Sequence, residues 1–321
     1  MGELRPLKIH NMASYIRNVM PDEMIAFALG GNIKSGFENL DSITSLYPGL
    51  YVVGAISSLG KTTFVHQIAD QLAEMGQSVL FFSLEQSTLE LASKSLSRVM
   101  AKRDIYTAMT SLQIRKNGYD ERVAEAADIY AHYADRIHVA ECSFRVTIDA
   151  LEEEVHKCIQ ETGVRPIVVV DYLQVIQPAD GSRMTAKDLV DMHVRRLKQL
   201  QSDNGLVLIV VSSLNRQNYL TQIDFESFKE SGGIEYTADV VWGLQLEVLH
   251  DPIFDKQANI NEKREKVREA KAANPRRIEL ICLKNRFGVS SYSCRFEYYP
   301  AFDYFKPVLD PYGNVLLPTG I

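Results

Sequence analysis

Short apolar, β-branched runs alternate along the chain with longer amphipathic stretches. The runs are "LYVVGA" (50–55), "SVLFFSL" (78–84), "RIHVAE" (136–141), "PIVVVDYLQVI" (166–176), "LVLIVVSSL" (206–214) and "DVVWGLQ" (239–245). Between them lie helix-like segments at Lys61–Met75, Thr88–Ala101, Asp120–Ala134, Thr147–Glu161 and Ala186–Leu200. Near-continuous hydrophobic strands joined by helical crossovers predict an α/β fold, a mostly parallel central sheet covered on both faces by helices. Near the end, "IELIC" and the alternating "VSSYSCRFEYY" flank "LKNRFG" (283–288), which predicts a late β-hairpin with Lys284 and Arg286 at or beside its tip. Two segments fall outside this alternation. The first carries an amphipathic stretch from Met12 to Leu29; the second, 258–277, is charged, helix-prone and stopped by Asn274-Pro275, and reads as a solvated helix. The organisation expected is an arm (1–34), a large α/β domain (35–300) and a C-terminal tail (301–321).

Composition changes this picture little. The 321 residues are 46% hydrophobic and 24% charged, as in ordinary globular proteins. No apolar run approaches the ~20 residues needed to span a bilayer, and the start, "MGELRPLKIHNM", has no apolar signal core. A cytoplasmic protein without a membrane partner is expected. The four cysteines show no metal-ligand spacing, and Cys282 and Cys294, on the two hairpin arms, read as reduced core thiols. The net charge of −6 excludes a uniformly basic coat but not a local basic groove.

The chemistry begins directly after the first strand, in "GAISSLGKTTF" (54–64). This is a phosphate-binding loop of the Gly-x4-Gly-Lys-Thr type, with Ala55 at the first glycine position and Gly54 one residue earlier. Backbone amides across Ser57, Ser58, Leu59, Gly60, Lys61, Thr62 and Thr63 form an anion nest at a helix N-terminus. Lys61 reaches the β- and γ-phosphates, and the Thr62 hydroxyl ligates Mg2+. Strand, loop and helix come in the required order, which sets a chance Gly-Lys-Thr aside. Such a loop needs an acid at the end of another buried strand, and Asp171 closes the apolar Ile167–Val170 run. A carboxylate there is costly unless paired or placed near a metal. Glu85, after the second strand, sits where it would orient the attacking water, although an acid opening a helix is also commonplace.

With these residues in place, the chain resembles the motor domain of bacterial replicative DNA helicases, the DnaB-like family with a RecA-like P-loop NTPase core. The matching segments run in order through "SGFENLD", "GAISSLGKTTF", "FFSLEQS", "VVVDYLQVI", "SSLNR", "KESGGIEYTADVVW" and "LKNRFG", from about Ser35 to Tyr299. The resemblance implies Glu85 as the catalytic carboxylate, with ATP and Mg2+ as substrate and cofactor. It implies that "KESGG" holds single-stranded DNA phosphates through Lys229, Glu230 and Gly232. It makes Arg286 an arginine finger and Lys284 a second γ-phosphate contact, both reaching a neighbouring subunit's nucleotide. A homo-oligomer, a hexameric ring, follows, with the 12–29 stretch as a linker helix docking on the adjacent subunit; a primase or loader is a possible partner.

Two departures stand out. Ser213 occupies the place where the family commonly has a glutamine that senses the γ-phosphate; its shorter side chain shifts that role towards Asn215 or Arg216. The domain that replicative helicases carry ahead of the motor is not in this sequence. The preferred expectation is an ATP-driven DNA helicase or translocase. A RecA-like, DNA-dependent ATPase that loads or remodels other DNA proteins is the alternative, and a non-enzymatic ring subunit is disfavoured because Lys61, Thr62, Glu85, Asp171 and Arg286 are all present.

Overall fold

A computed structural model of the chain describes residues 9–30, 32–142, 146–178, 185–215, 219–228, 232–254 and 259–320. The arm forms α1 (Met12–Asn18) and α2 (Met20–Gly30), and one turn, α3 (Glu38–Asp41), leads into β1 (Gly49–Ala55). There follow α4 (Lys61–Glu74), β2 (Val79–Ser83), α5 (Thr88–Arg103), α6 (Ser111–Asn117), α7 (Glu121–Ala134) and β3 (Ile137–Glu141). Next come α8 (Ile148–Thr162), β4 (Ile167–Asp171), α9 (Ala186–Asn204), β5 (Val207–Ser213), α10 (Gly232–Thr237) and β6 (Val240–Leu246). The chain ends with α11 (Ile260–Ala272), β7 (Arg276–Asn285), β8 (Tyr292–Tyr299), β9 (Tyr304–Pro307) and β10 (Thr319–Gly320).

Among the described residues one sheet runs in the order β10-β8-β7-β6-β1-β5-β4-β2-β3, with β9 also on β8. From β3 to β6 all neighbours are parallel, whereas β7 and β8 are antiparallel to what precedes them. Every residue of β1, β2, β4 and β6 is buried, so these strands need apolar side chains on both faces, and their continuous Val/Ile/Leu runs follow from that. Crossover helices start at side-chain caps: Ser87 and Glu90 close a capping box on α5, and Thr147 and Thr185 cap α8 and α9.

The structure differs from the sequence reading in local ways. The amphipathic arm is broken at Val19; Pro21 has no N–H to continue the first helix and stands in the first turn of the second, where that N–H is not needed. Residues 304–307 do not hang from the domain as a tail but pair with β8 as β9. Helix α11 is solvated but clipped: Val267 is buried, and Lys263 donates to the Phe254 carbonyl at 2.9 Å. Cys282 and Cys294 are buried free thiols, pushed up in pKa by burial. Among the described residues no helix is long and apolar enough to cross a membrane.

A buried polar network ties the crossover helices to the chain's end. Asp70 of α4 pairs with Arg98 of α5 and accepts from Ser95 at 2.8 Å and Tyr130 at 3.2 Å. Arg98 Nε donates to the Asp303 carbonyl at 2.9 Å. Removing one member of such a pair leaves the other charged and buried. Arg98→Ala is therefore expected to cost about 3–5 kcal/mol, measured by urea denaturation; a loss under ~1 kcal/mol would show that Asp70 finds compensation.

Candidate nucleotide site and the hairpin cations

The loop after β1 turns through two left-handed residues, Ser58 (φ 70°) and Gly60 (φ 84°). Gly60 is needed twice over: for that φ, and because a Cβ there would sit 2.8 Å from the Tyr298 ring. α4 then starts at Lys61, aiming its free amides into a cavity of about 480 Å³. Ser57, Ser58, Gly60, Lys61, Thr62 and Thr63 line it, facing Glu85, Gln86, Lys94, Asp171, Tyr172, Ser213, Tyr298 and Asp303. Leu59 is not among the lining residues, and its side chain is in the core.

Asp171 is buried at the end of β4, and burial raises its pKa from 3.8 to about 6 despite a hydrogen bond from Thr62 and the nearby Lys61 charge. Its Oδ2 has no hydrogen-bond partner. A buried, orphaned carboxylate oxygen beside a threonine hydroxyl is a pair of hard oxygen donors that fits Mg2+. Burial also lowers the pKa of Lys61, against the opposing charges of Asp171 and Glu85. Glu85 is exposed on the rim, where a carboxylate can meet a water.

Three supporting residues carry no motif signal. Asp303 accepts from Thr63 at 3.1 Å and Ser111 at 2.8 Å, and pairs with Lys94 at 3.3 Å. Tyr298 lies under Gly60, stacked on Phe305 at 4.2 Å. Arg276 donates to the Ser58 carbonyl at 2.7 Å. The chain's last strands thus brace the phosphate loop from beneath, a long-range contact with no local pattern in the sequence.

The sensor candidates separate. Ser213 lines the cavity, and its N–H donates to Gln174 at 3.3 Å. Asn215 does not line it; its amide donates to the Glu226 carbonyl at 3.2 Å and its N–H to that of Ser227 at 2.8 Å. Arg216 lies outside the described residues, as do Lys229 and Glu230. Gly232 opens α10 with open space where a Cβ would stand, so its backbone is accessible to a ligand.

Lys284 and Arg286 are not near this cavity. Arg286 pairs with Asp239 at 3.1 Å and donates to the Tyr236 carbonyl at 3.3 Å; Lys284 donates to the Glu235 carbonyl. Asp239 in turn accepts from the Leu50 amide at 2.8 Å, and Phe287 packs on Gly49. Both cations therefore sit at the start of β1, whereas the phosphate loop follows its end, about 20 Å away along the strand.

This order of loop, acids and late hairpin agrees with a family profile, "DnaB-like helicase C terminal domain", which matches residues 32–306. The chain belongs to this family. Among its DnaB-like relatives, a "Probable replicative DNA helicase" of Trieres chinensis is 25% identical over 274 residues, 83% of this chain and 57% of that protein. "Replicative DNA helicase DnaB" of Geobacillus stearothermophilus is 29% identical over 265 residues, 80% and 52% of the two chains. The chain spans about half the length of the curated relatives it matches. A solved ATPase domain shares its fold over 93% of this chain and 100% of that one, with a TM-score of 0.73 at 19% identity. So does "The Structure Of A DnaB-Like Replicative Helicase And Its Interactions With Primase", over 94% and 68%, with a TM-score of 0.71 at 19% identity. The family match and these structures show a RecA-like fold of the DnaB-like ATPase type.

The buried Asp171 carboxylate makes stability depend on pH. A raised carboxylate pKa means that its charge destabilises the fold above about pH 6, a penalty absent below about pH 4. Asp171→Asn is expected to stabilise the nucleotide-free protein at pH 7 by up to ~3 kcal/mol, with the gain gone by ~pH 4. Denaturation at both pH values, without Mg2+, checks this; a destabilised variant at pH 7 would mean that the charge is already compensated.

Proposed function

We propose that this chain is the motor of an ATP-driven DNA helicase that hydrolyses ATP at the subunit interfaces of a hexameric ring and moves along single-stranded DNA in replication. One observation carries the reading. The family's two late cations lie at the opposite end of β1 from their own phosphate loop, too far to serve a nucleotide bound there. A head-to-tail neighbour is the nucleotide site left for them; such contacts close into a ring or run on as a filament, and a ring is the form proposed here.

Within one site the placement of the residues supports these roles. The loop amides and Lys61 hold the phosphates, and Glu85 accepts the proton of the attacking water. Thr62 and Asp171 would hold Mg2+, which offsets charge on the β- and γ-oxygens. Arg286 and Lys284 of the adjacent subunit complete the charge stabilisation.

Movement is transmitted through β5. Ser213 faces the nucleotide; the next residue, Leu214, bridges to Phe228, and Phe228 packs where a Cβ on Gly54 would stand, 2.4 Å away. Lys229, Glu230 and Gly232, which we assign to strand phosphates, follow at once. With Asn215 holding the 224–228 turn, the link runs through the backbone of 213–215 and not through a long sensor side chain. The arm exposes Met12, Ile16, Met24, Ile25 and Phe27, an apolar face suited to a neighbouring subunit. A primase or loader would join this assembly, which operates in the cytoplasm.

Two outcomes are expected. Glu85→Gln should retain ATP but lower turnover by about a hundredfold or more, measured by single-turnover hydrolysis. Lys61→Ala and Arg286→Ala proteins, each inactive alone, should regain turnover when mixed, with further stimulation by single-stranded DNA. Continued activity of Arg286→Ala alone would place the cation outside catalysis, and DNA-stimulated hydrolysis without fork unwinding would favour a remodelling ATPase.

A further inference from the structure

Helix α10 touches both functional ends of the subunit. Its first residue is Gly232, and Gly233 behind it is pinned: its N–H donates to Asp191 Oδ1 at 3.0 Å, and a Cβ there would lie 2.1 Å from that oxygen. At its other end, the carbonyls of Glu235 and Tyr236 accept from Lys284 and Arg286, cations placed where a helix terminus favours them. The helix that carries Asp191, α9, also carries Lys198 two turns on, and Lys198 pairs with Asp239 at 2.6 Å, the carboxylate that holds Arg286. One six-residue helix and one rail, α9, therefore join the strand-binding glycine to both late cations.

We infer that α10 is a lever that couples strand occupancy in one subunit to the finger serving its neighbour's nucleotide, with Asp191 as its pivot. The inference rests on the assignments of Gly232 to strand phosphate and Arg286 to the adjacent site. A phosphate arriving at Gly232 stands beside the Asp191 carboxylate, and like charges repel. The Asp191–Gly233 bond weakens, α10 shifts, and its carbonyls release Lys284 and Arg286 towards the nucleotide across the interface. Stimulation by DNA then acts on the neighbour's site, with Asp191 as a positioning residue that touches neither nucleotide nor strand.

The test separates the two subunits of one interface. Lys61→Ala protein supplies only a finger, and Arg286→Ala protein only a phosphate loop. Asp191→Ala is added first to one and then to the other, with oligothymidine binding followed by anisotropy and hydrolysis measured at saturating strand. On the finger donor, stimulation by DNA should fall by about fivefold or more, the lower range of coupling between linked sites, while DNA-free rescue persists. On the loop donor, whose own finger is absent, stimulation should be unchanged. Equal loss in both placements, loss of strand binding, or unchanged stimulation in both would overturn the lever. No rescue in the parental mixture would instead overturn the shared site, and the lever with it.

Discussion

A buried parallel strand is stiff, and what lies at one end cannot reach the other. β1 places the phosphate loop after Ala55 and the Asp239 carboxylate, with its attached Arg286, beside Leu50. Because β1 is hydrogen-bonded on both sides, to β5 and β6, the separation does not relax within one subunit. A phosphate site built on the carboxyl end and cations built on the amino end stay apart unless a second copy brings them together. In the proposed mechanism assembly is therefore a condition of chemistry.

The antiparallel strand β7 is the clearest case. Arg276 at its start bonds to the Ser58 carbonyl of the subunit's own phosphate loop, and Arg286 follows its last residue. One rigid element therefore contacts the local nucleotide site and carries the group proposed for the next. β8 and β9 hold it in place: Tyr298 fills the space under Gly60, and Asp303 links Thr63, Lys94 and Ser111 while Arg98 grips its carbonyl. The charges here are partnered and mostly buried, where a removed partner costs more than at a surface. Asp171 Oδ2 stays buried without a hydrogen-bond partner, and it is the atom proposed here to meet the metal.

Legibility in the sequence followed the range of the interaction. The strands came from local runs, since a strand buried on both faces must be apolar throughout, and the phosphate loop from a nest whose residues are consecutive. Lys61, Thr62, Asp171 and Glu85 could be expected together, as they are in one cavity, because each lies at or just after the end of a strand at the same edge of the sheet. Asp303, Tyr298 and Arg276 were missed because their partners around the loop lie far away in sequence, 192 residues for Asp303 and Ser111 and 218 for Arg276 and Ser58, and no spacing rule reaches so far. Asp191 and α10 were missed for another reason: a six-residue helix with two glycines has too little periodicity to register. Asn215 stands off the cavity with its amide donated to the Glu226 carbonyl, a placement that sequence proximity to Ser213 does not reveal.

The measurement that bears most directly on this account is ATP hydrolysis per subunit as a function of protein concentration, followed alongside assembly by mass photometry at fixed ATP and Mg2+. A site divided between subunits predicts negligible hydrolysis where the protein is monomeric, and a cooperative rise that coincides with ring formation. A per-subunit rate that stays constant down to concentrations at which only monomers remain would show that each chain completes its own site, and would contradict the account.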